Sequence, residues 1–168
     1  IGSIKGDAME RESSIVVPNY FAKGRVNKRF LFKMSAPRTY VNFTLSRGAE
    51  FSIKNEILGE MTQSLLEDTY RDKLRGLSAN FAVTTDLHNY PEDIFVASSY
   101  FETDSTSAKE IEYAIVKELD GISNGGITDF EFNRLVEEVT SKFSSNNQRN
   151  SYWLTTLTRR YIDGKDFY

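Results

Sequence analysis

The side chains able to do covalent or metal chemistry are few in this sequence. Cysteine is absent, which excludes thiolate nucleophiles, disulfides and Cys-ligated metal, and His88 is the single histidine. Asp86 and Glu92 lie near it in sequence. One imidazole with scattered carboxylates could hold zinc only with ligands from another chain, so His88 reads as a surface histidine beside a hairpin turn. Ser105-Thr106-Ser107 and Ser144-Ser145 have no partnered base, and no serine sits at a strand-to-helix elbow. Gly125-Gly126 lacks the Gly-Lys-Ser/Thr continuation of a phosphate loop and reads as a helix break. Glu137-Glu138 reads as the solvated face of a helix. The remaining candidate is Arg75, in Tyr70-Arg71-Asp72-Lys73-Leu74-Arg75-Gly76. A guanidinium at a helix C-terminus beside a strand can reach a carbonyl or carboxylate of an extended peptide. Its plainer role is dipole capping with a surface ion pair.

The elements that must position these groups follow from periodicity. Ser52 to Leu74 carries Ile53, Ile57, Leu58, Met61, Leu65, Leu66, Tyr70 and Leu74 at three- and four-residue spacing, which predicts a long helix. Ser52 can cap its start and Gly76 can take the left-handed stop. Strands are expected at 29–34 (Phe30, Phe32 and Met34 on one face), 39–45 (Val41, Phe43 and Leu45), 81–87 and 94–103. Ala36-Pro37-Arg38 supplies a turn after the first, and the last two form a hairpin around Asn89-Tyr90-Pro91-Glu92-Asp93. A second helix follows, with Ser107 and Glu110 at capping-box spacing and a stripe of Ile111, Ala114, Ile115, Leu119 and Ile122. A third opens on Thr128 with Glu131 and carries Leu135, Val136, Val139 and Phe143. Asn146 to Asn150 interrupts before a short last helix with Tyr152, Trp153, Leu154, Leu157 and Tyr161. Alternating strands beside amphipathic helices predict an α+β class, with an antiparallel sheet and helices packed on one face.

At 168 residues, 13% aromatic, the chain can bury a core of ordinary size. Twenty-one basic and 24 acidic residues give a net charge of −3 without a clustered basic face, so no nucleic-acid partner is expected. No apolar run approaches the ~18 residues of a membrane span. Residues 1–27, with the short run Ile15-Val16-Val17-Pro18, read as linker and edge segment, and 28–168 as one domain. The start, with neither Met nor a signal-peptide apolar region, reads as part of a longer chain.

From about Lys28 to Tyr161 the order of elements and several phrases resemble the non-zinc domain of pitrilysin/insulinase-type metallopeptidases, the inverzincins. The phrases are Tyr40-Val41-Asn42-Phe43-Thr44-Leu45, the helix Asn55 to Leu74 closing on Tyr-Arg-Asp-Lys-Leu-Arg, Asn80-Phe81-Ala82-Val83, Tyr90-Pro91-Glu92, the strand Val96 to Thr103, Gly126-Ile127-Thr128-Asp129-Phe130-Glu131 and Asn150-Ser151-Tyr152-Trp153-Leu154. The resemblance implies a processing-peptidase-like half-domain that walls a chamber opposite a zinc-bearing domain. The zinc and the His-x-x-Glu-His motif would belong to that other domain, and this chain would carry no cofactor of its own. Its partners would be the zinc-bearing half of the same protein and the substrate peptide. Large bacterial members with this ending point to an exported, periplasmic setting. The family's arginine matches Arg75, and its oxyanion-contacting tyrosine falls at Phe81, which has no hydroxyl to donate. Two other readings stand beside this one. A degenerate, proteolytically inactive member would act as scaffold or processing partner, and a stand-alone module would bind peptides by strand addition at a sheet edge.

Overall fold

The computed structural model describes residues 24–33, 38–78, 80–89 and 92–163. The chain divides into two units, residues 1–31 and 32–168. Of the first, only 24–31 are described; they form no helix or strand, and Val26, Phe30 and Leu31 are exposed. The strand expected at 29–34 is absent over 29–33, and Met34 lies outside the described residues, as do Ile15-Val16-Val17-Pro18, Ala36-Pro37 and Tyr90-Pro91. Alternation marks which side chains would share a face, but it supplies no partner for the backbone N–H and C=O groups that a strand must satisfy.

The second unit holds all regular elements: β1 (Thr39–Gly48), α1 (Ile53–Lys73), β2 (Asn80–His88), β3 (Ile94–Thr103), α2 (Ala108–Gly125), α3 (Asp129–Asn146) and α4 (Asn150–Asp163). The strands form one antiparallel sheet in the order β1-β3-β2. Val41, Phe101 and Phe81 lie opposite one another, as do Phe43, Ser99 and Val83. Odd-numbered residues of all three strands therefore share a face. That face meets Leu66, Tyr70 and Leu74 of α1 and Ile111 and Ile115 of α2 in one core. Phe101, Ile111 and Ile115 are fully buried, each worth about 1.5–3 kcal/mol of transfer free energy. The fold is α+β with helices on one face of the sheet.

α1 begins at Ser52, whose hydroxyl accepts the Asn55 N–H at 3.4 Å. Its buried positions are Gly59, Met61, Ser64, Leu66 and Tyr70. Ile53, Ile57 and Leu58, expected on the core stripe, are exposed. At Gly59 α1 lies close to the sheet: an added Cβ would lie 3.1 Å from Phe95 Cε2, and the Thr85 hydroxyl donates to the Gly59 carbonyl at 3.1 Å. α3 lies against α1 through the buried Leu135, an Arg134–Asp68 ion pair at 2.6 Å and a Ser64 hydroxyl donating to Glu138 at 2.9 Å. Thr128 and Glu131 form the expected capping box. Ser107 makes no side-chain cap for α2. Asp104 accepts the Thr106 and Ser107 N–H groups at 2.7 and 2.8 Å, and these bonds hold its carboxyl below the usual range.

Candidate functional site

The sequence places its candidate at the junction between α1 and β2, and the junction is firmly anchored. Leu74 caps α1 by donating its N–H to the Tyr70 carbonyl, and Leu77 N–H returns to the Leu74 carbonyl at 3.0 Å. Gly76 turns the chain with φ +88°, the left-handed region that glycine enters without a Cβ penalty. Arg75 and Ser78 make an isolated β-bridge. Two bonds then tie the loop to the end of β3. The Thr103 hydroxyl donates to the Leu77 carbonyl at 2.6 Å, and Ser78 Oγ lies 3.0 Å from the Glu102 carbonyl and 2.6 Å from that of Asn80. Arg75 itself is exposed. It is a cation presented to solvent by a loop with little freedom of its own.

Phe81 occupies a different environment. It is on the core face of β2, half-buried. Its ring stacks near that of Phe101 (centroids 6.2 Å, 25°) and meets Tyr70 edge-on at 6.5 Å, while Tyr70 meets Phe101 at 5.2 Å and 69°. Edge-on and offset contacts of this kind add to the area term. The Tyr70 hydroxyl at their centre is buried without a hydrogen-bond partner; Ser99 is its polar neighbour but falls short of bonding geometry. Burial pushes the Tyr70 phenol above its ordinary value, with Ser99 opposing weakly. Phe81 is thus part of an aromatic cluster, and Arg75 projects from the loop before it.

The opposite face of the sheet carries a group that the sequence reading did not single out. Tyr40 and Tyr100 stack across β1 and β3 with centroids 5.5 Å apart and planes at 23°. They sit diagonally in the register, since Tyr40 is opposite Glu102 and Asn42 opposite Tyr100. Glu102 joins three strand ends: Arg38 pairs with its carboxylate, and Asn80 Nδ2 donates to it at 3.2 Å. The Glu102 charge, assisted by Tyr40, raises the Arg38 guanidinium above its ordinary value. Loss of hydration, then Tyr40 and Glu102, raises the Tyr100 phenol. The signal in the sequence was two tyrosines at even positions of strands whose odd positions face the core. Elsewhere this face is polar, with Asn42, Thr44, Ser46, Thr84 and Asp86 exposed. Val96 and Ile94 are buried on it, in the central strand between Ser46 and Asp86 and between Gly48 and His88.

His88 is exposed at the end of β2, as are Asp86 on the same strand and Glu92 in the turn beyond. Among the described residues no group of three or more His, Asp or Glu side chains is placed to hold a metal ion. A groove of about 240 Å³ lies between α1, β2 and α3, lined by Glu56, Glu60, Gln63, Asp86 and Lys142 around Thr85 and Phe95. No described helix is long and apolar enough to cross a membrane. No family model matches the chain, and no curated protein is significantly similar to it.

Proposed function

We propose that this chain is the non-zinc domain of a pitrilysin/insulinase-type metallopeptidase, walling a chamber and touching the substrate peptide through Arg75. The reading rests on the ordered family phrases from Lys28 to Tyr161. It is supported by the α+β architecture and, above all, by an exposed arginine held on an anchored loop where the family places one. Arg75 would bind a carbonyl or carboxylate of extended peptide, with zinc and its general base supplied by the partner half. The test has two arms. The isolated chain should not cleave unfolded peptides; turnover with one zinc per chain overturns the proposal. In the longer protein, Arg75→Ala should lower kcat/KM about tenfold or more, the scale of one lost charge-assisted contact of ~1.5–3 kcal/mol. An unchanged kcat/KM removes the role of Arg75.

The packing of Phe81 favours a second reading, a scaffold or processing partner descended from such an enzyme. The ring at the tyrosine position is engaged with Tyr70 and Phe101 and offers no oxyanion donor. The two readings part on peptide cleavage by the longer protein. Zinc-dependent turnover supports the first; its absence in a protein that still binds peptide supports the second.

A further inference from the structure

The last turn of α2 is held by little besides its own backbone hydrogen bonds. Its four final residues are Ile122, Ser123, Asn124 and Gly125, with Gly121 before them. Glycine and asparagine are poor helix residues, and glycine forgoes the most backbone entropy on ordering. The apolar stripe that holds α2 to the core runs out at Ile122; Gly121, Ser123, Asn124, Gly125 and Gly126 are all exposed. The last turn contains no basic residue to complement the helix dipole. The turn closes on a Gly126 N–H donated to the Ile122 carbonyl at 3.0 Å, with Gly126 at φ +71°. Opening it beyond Ile122 breaks helix hydrogen bonds while Ser123, Asn124 and Gly125 have no buried side chain to lose, which puts it at the low-stability end of local unfolding.

Asn124-Gly125 is the one Asn-Gly pair in the sequence. From these observations we infer that Asn124 is a site of spontaneous deamidation, gated by the opening of this turn. The reacting atoms belong to the chain itself. Once the turn opens, the backbone nitrogen of Gly125 loses its proton to solvent base and attacks Asn124 Cγ. The new N–Cγ bond closes a five-membered imide, and the Cγ–Nδ2 bond breaks to release ammonia. Water then adds to one of the two imide carbonyls and breaks that carbon's bond to the Gly125 nitrogen, which takes up a proton; cleavage at Cγ gives aspartate and cleavage at the main-chain carbon gives isoaspartate. Asparagine is thermally labile in general, but its neighbours decide where. Gly125 has no Cβ to hinder the attack, and nothing lies within 4 Å of where one would be. Other asparagines are tied down: Asn55 Nδ2 donates to the Glu50 carbonyl at 2.8 Å, and Asn80 Nδ2 to Glu102 at 3.2 Å. Asn124 is exposed at a helix end. The product puts a carboxylate at the negative end of the α2 dipole, so each conversion favours the open turn.

Peptide mapping of the folded, full-length chain during incubation in mildly alkaline buffer tests this. Conversion at Asn124 should outpace that at every other asparagine and should be lost in Asn124→Gln. Gly121→Ala meets no atom within 4 Å and raises helix propensity, so it should slow conversion without touching the reacting pair. A folded chain in which Asn124 converts no faster than Asn55 overturns the site. An unchanged rate in Gly121→Ala, with circular dichroism showing an intact fold, overturns the gating.

Discussion

At the scale of single residues, the aromatic cluster sets the terms. Phe101 is fully buried, so Phe101→Ala should cost about 3–5 kcal/mol, whereas the half-buried Phe81→Ala should cost about 2–3 kcal/mol. Urea midpoints of the two variants would check the order. Tyr70 is the residue with something to gain. Its hydroxyl is buried and unpaired, so Tyr70→Phe should be neutral or stabilising by up to about 1 kcal/mol. The same variant should change the alkaline limb of stability. The folded phenol is raised above 10.0, so the unfolded chain loses its proton first. The folded state then binds more protons, and stability falls as pH rises past about 10. Tyr70→Phe should remove that share of the loss, measured as the melting temperature across the alkaline range. Phe81 was legible as a core-face residue of the strand expected at 81–87, but its engagement with Tyr70 and Phe101 was not. Pattern gives the face of a strand, and only packing gives the neighbours.

At the scale of elements, the sequence was readable wherever a local rule had no competitor. The long helix, its Ser52 cap, the β2–β3 hairpin and the Thr128–Glu131 box follow from spacing alone. Two readings failed for want of a partner. The alternation at 29–33 forms no strand, and Leu45, at strand spacing with Val41 and Phe43, is exposed because the covering core ends before it. Ser107 makes no cap because its hydroxyl donates to Asp104, three residues earlier, at 3.0 Å, and Asp104 also takes the Ser107 N–H that Glu110 would accept in a capping box. Ser107→Ala should therefore be the milder change and Asp104→Ala the more damaging, read as the difference in melting temperature. The Asp104 carboxyl is lowered from 3.8 by those N–H bonds, so its stabilisation is present above about pH 4 and fades as pH falls through the lowered value. Asp104→Ala should accordingly flatten the acid limb. Gly59 gives a second contrast between elements. Gly59→Ala gains roughly 1 kcal/mol of helix propensity against a tight contact with Phe95, and should end within about 1 kcal/mol of the parent. Gly59→Leu has no such room and should cost about 1–3 kcal/mol in chemical denaturation.

At the scale of the whole molecule, stability is concentrated in the sheet, α1, α2 and the Leu135 anchor of α3. α4 contributes little to it. Its contacts include the Phe143–Tyr152 ring pair at 6.3 Å and a Trp153 indole N–H donated to the Asn147 carbonyl at 2.8 Å, while Leu154, Leu157 and Tyr161 stay exposed. A chain ending at Asn146 should fold cooperatively and melt only about 2–4 °C lower, the scale of ~1 kcal/mol for a chain of this size. Scanning calorimetry would check it, and loss of cooperativity would show that α4 is part of the core after all. The strand order was the least legible feature at this scale. A hairpin announces itself in sequence, but nothing local says that β1 lies beside β3 rather than beside β2.

That strand order dictates a timetable. β3 comes last of the three strands in sequence and is the only one that touches both others. β1 and β2 therefore have no sheet partner until β3 arrives. β2 and β3 can zip together across a short turn, whereas β1 must close a loop containing all of α1 and β2 before its first ladder bond forms. Closing that loop costs entropy before any pairing rewards it, so β1 should dock late on the folding path. Substitutions at Val41 should then mainly speed unfolding, while those at Val83 or Ala97 should slow folding.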